Sequence, residues 1–302
     1  MPDFKLHTRF ILTYWLFRII VGIIRLMPRS CTLAMGRALA VALYYLLPLR
    51  QDEARRNIAR AFPDLPTDRR RAILRGTYRH YCQLFFDYFR MPKYTVDTLP
   101  QLVDMDETHI KEVRESGRGA VLVSGHHGNW EVVNLALCRL GYPVTGIAVT
   151  QQGGGGRVIN EIRAEAGAKI LSPKASSRTM LRHLKEGQFL GLIADQDARS
   201  HGVWVDFFGQ PSSRPRGGAV FGLQLGLPIF FVSSLMGPDR RYQIRFRPID
   251  MDNLPDEKEA AIRELTQRFM VMLEDEVCEY PEQYFWFHRM WKTKPPGDGT
   301  PA

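Results

Sequence analysis

Cysteine is sparse in this chain and acid is outnumbered by base, and these deficits remove whole classes of protein. The four cysteines, Cys31, Cys82, Cys138 and Cys278, stand far apart with no C-x-x-C pair. That excludes a zinc ribbon and a disulfide framework and fits a reducing, cytoplasm-facing location. The glycine run Gly153 to Gly156 lacks the Gly-Lys-Ser/Thr of a P-loop and the spacing of a dinucleotide fingerprint, so it reads as a flexible loop rather than a phosphate cradle. No small-residue cleavage site follows the apolar N-terminus, which argues against a signal peptide. No helix-turn-helix, RNP-type or zinc-finger pattern accompanies the formal charge of +9, so nucleic acid is the weaker reading of that charge. An anionic lipid surface or an acidic protein is the better one. No motif asks for a cofactor.

What is present begins with size: 302 residues, 45% of them hydrophobic, can build one sizeable α/β domain plus an appendage. The expected division is residues 1–48 as membrane-associated helices, 49–295 as the α/β domain, and 296–302 as a flexible tail. Phe10 to Ile24 is nearly continuous apolar sequence with Arg18 in its middle and Arg9 and Arg25 at its edges. It resembles a membrane-embedded helix, although an arginine at the bilayer centre costs roughly 2.5 kcal/mol or more, which favours an interfacial or tilted helix with a snorkelling side chain. A second apolar segment, Leu33 to Leu47, carries Arg37 and stops at Pro48; it fits either a membrane or the cover of a core. From Arg50 to Arg90 the chain is basic and helical, broken by the turn Phe62-Pro-Asp-Leu-Pro66, with Thr67 expected to cap the second helix. Basic helices beside an apolar anchor suit an anionic membrane or an acidic carrier protein.

The chemistry is concentrated in Val121-Leu-Val-Ser-Gly-His-His-Gly-Asn-Trp-Glu131. A short apolar run ending at Gly suits a buried strand, and the spacing from Trp130 to Leu140 suits a helix packed on a sheet. Residues five apart on one helix diverge by about 140° at roughly 100° per residue, so His126 can meet Glu131 only from a loop before the helix. A carboxylate on one ring nitrogen fixes the tautomer and leaves the other nitrogen to take a proton from a hydroxyl. The plainer alternative is a capped helix start with a satisfied histidine. Further candidate strands at Val144 to Val149, Phe189 to Ala194, Ile229 to Leu235 and Tyr242 to Pro248 alternate with helices. This predicts an α/β fold with a mostly parallel central sheet flanked by helices. Ligands bind such sheets beyond the strand carboxyl ends, where the His126 turn and the Asp195-Gln-Asp197 turn both fall.

His126-His-Gly-Asn-Trp-Glu131, Asp195-Gln-Asp197, Phe207-Phe-Gly-Gln-Pro211 and Pro281-Glu-Gln-Tyr-Phe-Trp-Phe-His-Arg-Met-Trp-Lys-Thr-Lys-Pro295 occur in the order seen in the bacterial lipid A biosynthesis late acyltransferases. With Arg56-Asn-Ile-Ala-Arg-Ala-Phe-Pro63, the resemblance spans nearly the whole chain. It implies a glycerolipid-acyltransferase-like fold and an enzyme at the bacterial inner membrane, its site facing the cytoplasm. Such an enzyme moves a fatty acyl group from an acyl carrier protein to a hydroxyl of a lipid A precursor. His126 would be the base and Glu131 its orienter. Arg163 would add positive charge near the site. Asp195 and Asp197 would organise the site through hydrogen bonds, with Asn129 and His127 as supporting residues. The segment Thr150 to Arg157 departs from the Arg and Asn-Pro of many relatives, and the His-His-Gly-Asn-Trp-Glu form also resembles relatives acting on other glycolipids, lysolipids and amino-acid lipids. A hydrolase holding metal with His126, His127, Glu131, Asp195 and Asp197 is a different class. It is disfavoured because adjacent histidines diverge and no His-Glu-x-x-His is present.

Overall fold

The computed structural model describes residues 2–295. Four helices lead: α1 (Pro2–Leu26), α2 (Arg29–Tyr45), α3 (Gln51–Ala61) and α4 (Thr67–Arg90). Strands and helices then alternate: β1 (Val103–Met105), α5 (Thr108–Glu115), β2 (Ala120–Ser124), α6 (Trp130–Arg139), β3 (Val144–Ile147), α7 (Gly153–Glu165), β4 (Lys169–Leu171), α8 (Ser177–Lys185) and β5 (Phe189–Ile193). A hairpin of β6 (Val203–Phe207) and β7 (Gln210–Arg214) precedes α9 (Gly217–Leu225), β8 (Ile229–Met236), β9 (Tyr242–Pro248) and α10 (Lys258–Glu279). The seven-stranded sheet has the order β1-β9-β8-β2-β5-β3-β4, and β8 with β9 is its one antiparallel pair. The expected α/β architecture with a mostly parallel, helix-flanked sheet is therefore the observed one.

β2 lies at the centre, between β8 and β5, and all five of its residues are buried, which is why it reads as an unbroken apolar run. Val121 and Val123 face one core with α9 and α10, and Leu122 faces the other with α6 and α7. Ser124 pairs with Ile193 and the Ala194 amide donates to the Ser124 carbonyl at 2.9 Å. The chain thus leaves β2 and β5 side by side, at residues 125–126 and 194–195.

The N-terminal segments differ from expectation in instructive ways. Among the described residues no helix is long and apolar enough to cross a membrane. α1 instead lies along α7: Arg18 pairs with Glu161 at 3.5 Å and Glu165 at 3.4 Å, Arg25 pairs with Glu165 at 2.7 Å, and Tyr14 donates to Glu161. The arginines that made a span expensive find carboxylates on a protein helix. The glycine run expected as a flexible loop is the first turn of α7, because α1 crosses there too closely for side chains. A Cβ on Gly154 would drive into the Phe10 carbonyl, Thr13 Oγ1 and the Tyr14 amide. The opposite side of α1 bears Leu12, Trp15 and Ile19, which are 68%, 59% and 60% exposed.

α2 is fastened by Arg29, which grips the buried Asp87 of α4 through Nε at 2.9 Å and Nη2 at 2.6 Å; Tyr242 of β9 donates to the same carboxylate. Such a forked pair holds geometry as well as charge. Thr67 does not cap α4: Pro66 occupies the cap position with extended backbone and no side-chain cap bond forms. The tail expected at 296–302 lies outside the described residues. Substituting Gly154 with Ala should separate α1 from α7 at a cost of about 1–3 kcal/mol, seen as faster proteolysis within α1 and a lower melting temperature. Unchanged values would contradict this packing.

Candidate active site

Gly125 follows the last residue of β2, and the next residues turn sharply into α6. Gly128 makes the turn possible: its φ is +63°, and a Cβ there would collide with the Ser234 carbonyl. The Gly128 amide donates to the Gln283 carbonyl at 2.9 Å and the Asn129 amide to the Ser234 carbonyl at 2.8 Å. Asn129 then caps α6, its side chain accepting from the Val132 amide at 3.2 Å. The C-terminal block runs behind this turn. The Phe285 amide donates to the His126 carbonyl at 2.9 Å, Tyr81 Oη lies 2.8 Å from both the His126 and Gln283 carbonyls, and Asn57 donates to the Trp286 and His288 carbonyls. The specificity of the C-terminal sequence therefore comes from packing against the histidine turn.

His126 does turn back from the loop onto a carboxylate, but that carboxylate is Asp195. Its ring Nδ1 lies 2.7 Å from Asp195 Oδ1, and its amide donates to Asp195 Oδ2 at 2.7 Å. The sequence expectation paired His126 with Glu131; the strand register decides otherwise, because β5 delivers Asp195 directly beside the end of β2. Glu131 points instead to Arg163 of α7, which meets it through Nε at 3.2 Å and through Nη2. Burial draws the Arg163 guanidinium down, but the hydrogen bond and charge of Glu131 outweigh it and raise its pKa.

Asp195 is 2% exposed. Burial alone would raise its carboxyl, yet the charge of His126, the two hydrogen bonds from that residue and the charge of Arg214 hold it well below the usual carboxylate range. Arg214 is fully buried at 0% exposure, donates to the Asp195 backbone carbonyl and lies over the Phe207 ring. The Phe207 to Pro211 motif is thus the turn of the hairpin that carries Arg214 under the site. Asp197 tethers the C-terminal block, accepting from the Thr293 amide at 2.8 Å and hydroxyl at 2.7 Å.

His126 Nε2 lies 3.3 Å from Gln196 Nε2, which is also 3.2 Å from His288 Nε2. An amide NH2 supplies one hydrogen to each ring, so both Nε2 atoms are acceptors and the His126 proton sits on Nδ1, facing Asp195. Burial, then the charge of His126, lowers the His288 pKa to about 4. His127 is turned to the other side, with Nε2 at 3.1 Å from the Tyr280 carbonyl and Nδ1 at 3.8 Å from Glu276. Among the described residues no three of His, Cys, Asp and Glu gather where they could hold a metal ion. Gln196, His288 and Arg214 were not singled out from the sequence. The first two lie inside quoted motifs, but no local spacing signals that they converge across the fold.

His126, Trp130, Glu131, Arg163 and Gln196 open onto one cavity of about 490 Å³, otherwise walled mainly by apolar residues of α6 and the sheet. A histidine held by a buried carboxylate at the edge of a mainly apolar cavity, beyond the strand ends of a mostly parallel sheet, is an arrangement suited to acid–base chemistry on an apolar ligand. Residues 1–293 match the family described as bacterial lipid A biosynthesis acyltransferase, and the chain belongs to that family. Over 275 residues it is 26% identical to the phosphatidylinositol mannoside acyltransferase of Mycolicibacterium smegmatis, covering 89% of this chain and 88% of that protein. Over 306 residues it is 21% identical to the lipid A biosynthesis palmitoleoyltransferase of Escherichia coli, covering 98% and 95%. The protein is an enzyme that transfers acyl groups onto lipids.

Behind the site, burial lowers the His80 pKa to about 4, against a smaller upward pull from the Gly128 carbonyl 3.3 Å away. Its unfolded value is near 6.5. Between these values the unfolded chain takes up a proton that the folded chain refuses, so stability falls as pH drops from about 6.5 to about 4, by about 2–3 kcal/mol. Denaturant midpoints measured across that window should show the slope, and His80→Gln should reduce it, leaving the part that His288 contributes over the same range. A slope unaltered in the variant would remove His80 as its source.

Proposed function

We propose that the chain transfers a fatty acyl group from an acyl carrier protein thioester to a hydroxyl of a lipid A precursor, with His126 as general base and Asp195 as the carboxylate that orients it. The observation that carries this is the short His126 Nδ1 to Asp195 contact, which leaves Nε2 facing the cavity. The acceptor hydroxyl displaces the Gln196 amide from Nε2 and gives up its proton as its oxygen attacks the thioester carbonyl. The C–O bond forms, the tetrahedral oxyanion collapses, the C–S bond breaks, and the thiolate takes the proton from His126. Asp195 stays ionised throughout and stabilises the transient imidazolium. The oxyanion is met by Arg163 and by the Trp130 and Glu131 amides at the start of α6, the Asn129 and Val132 amides being already bonded. Glu131 serves by holding Arg163 in place.

A second acceptor is favoured by one observation: over 89% of the chain, the relative at 26% identity is a phosphatidylinositol mannoside acyltransferase. That supports a glycolipid other than a lipid A precursor.

The reading includes docking on the cytoplasmic face of a bacterial inner membrane. Leu12, Trp15, Ile19, Ile23 and Leu26 recur along the outer side of α1, each worth about 1.5–3 kcal/mol if buried. The arginines of α3 and α4 add attraction to anionic headgroups. The four cysteines are unpaired, in keeping with a reducing compartment.

Purified protein offered acyl carrier protein and coenzyme A thioesters with a lipid A precursor, a phosphatidylinositol mannoside and a lysolipid should acylate one acceptor. His126→Ala and Asp195→Asn should each lower kcat by about a hundred- to ten-thousand-fold. Glu131→Gln and Arg163→Met should cost less and be non-additive, as expected of one ion pair. Transfer unaffected by His126→Ala would defeat the assignment. In a separate assay, anionic phosphatidylglycerol vesicles should sediment the protein, and a Trp15→Glu, Ile19→Glu double variant should lose at least ten-fold in affinity; equal sedimentation would exclude this face as the membrane contact.

A further inference from the structure

The cavity beside His126 is floored by strands that lack side chains at one level. Leu122 of β2 pairs with Gly191 of β5, Gly191 with Gly146 of β3, and Gly146 with Ile170 of β4. All four line the cavity. Two residues nearer the strand ends, Ser124, Ile193 and Ala148 line it as well. Alternate residues of a strand share a face, so these rows form one wall and the glycine row is the one farther from His126. Across from it, α6 presents Val133, Asn134 and Leu137.

Glycine inside a strand weakens it and needs a reason. Neither Gly146 nor Gly191 has a positive φ, so no special backbone conformation demands it. Crowding does not demand it at Gly191: an added Cβ there would meet only the Gly146 Cα and the Thr145 carbonyl, both at 3.8 Å, an ordinary contact. At Gly146 an added Cβ would meet Ile170 Cδ1 at 3.2 Å, the far end of a flexible side chain. What both glycines do is leave space in the cavity on the side away from His126, with Val144 lining it one row deeper.

We infer that Gly146 and Gly191 form the floor that receives the end of the acyl chain, and that with Ile170 they set the longest chain the enzyme accepts. This rests on the acyl-transfer reading above. A side chain at Gly191 raises the floor and excludes longer chains, while a smaller residue at Ile170 lowers the far end.

The test is a competition. Full-length protein is given an equimolar mixture of decanoyl, lauroyl, myristoyl and palmitoyl thioesters, with a lipid A precursor and a phosphatidylinositol mannoside as acceptors, and the acyl chains on the product are read by mass spectrometry. Gly191→Val should move the palmitoyl-to-decanoyl product ratio at least ten-fold toward the short chain, the scale expected when a hydrophobic pocket loses room for methylenes. Gly191→Ala should move it the same way by a few fold, which keeps the test valid if the valine variant does not fold. Ile170→Ala should move it in the opposite direction. Ratios within two-fold of the parent, or a shift of Ile170→Ala in the same direction as Gly191→Val, would overturn the inference while leaving the transfer reading intact. A parent protein that transfers no chain at all would overturn both.

Discussion

The contact on which the rest of the site depends is the double grip of Asp195 on His126, one oxygen on the ring and the other on the backbone amide. A buried carboxylate is costly unless paired and hydrogen-bonded, and here the compensation comes from three groups. The ring and amide of His126 and the charge of Arg214 supply all of them, and the register of β2 with β5 is what brings His126 alongside. Because one carboxylate holds both the ring and the loop that carries it, the ring is fixed relative to its own backbone. The apolar cavity, the C-terminal block and the hairpin are all arranged around that fixed point.

This explains why the chemistry was only half legible in the sequence. The β2 run, the turn at His126 and the α6 pattern were readable because each is set by local periodicity and by a glycine with one possible conformation. The second acidic turn was also recognised at a neighbouring strand end. What a linear reading could not supply was the strand order: Glu131 is five residues from His126 and Asp195 is sixty-nine away, so proximity in sequence favoured the wrong carboxylate. Only the insertion of β5 between β2 and β3 brings Asp195 alongside. Gln196, His288 and Arg214 escaped notice for the same reason, since each reaches the site by a non-local path.

The glycine run failed differently. Four consecutive glycines carry high conformational entropy and read as a loop, but tertiary packing overrides propensity when a second helix needs the space. α1 supplies that need at Gly154 and Gly155, and the helix continues into a strongly patterned segment from Arg157 onward. The apolar N-terminal segment resembles a membrane-embedded helix, tilted or interfacial, and the fold adds protein partners for its arginines. Its arginines were weighed against lipid alone, whereas Glu161 and Glu165 on α7 were waiting for Arg18 and Arg25.

α7 therefore faces two ways. Glu161 and Glu165 hold α1, while Arg163, between them in sequence, reaches the opposite way to Glu131 at the cavity. Residues two apart on a helix diverge by about 200°, so one turn of helix can serve both partners without either sharing the other's charge. The glycine turn that precedes it lets α1 approach closely enough for those ion pairs to form. The same helix that anchors α1, with its exposed apolar stripe, thus also positions the cation beside the proposed reacting carbonyl. The exposed apolar stripe and the cavity are separated by α1 and α7 packed on each other, so the ion pairs between these two helices tie the outer surface to the wall that carries Arg163.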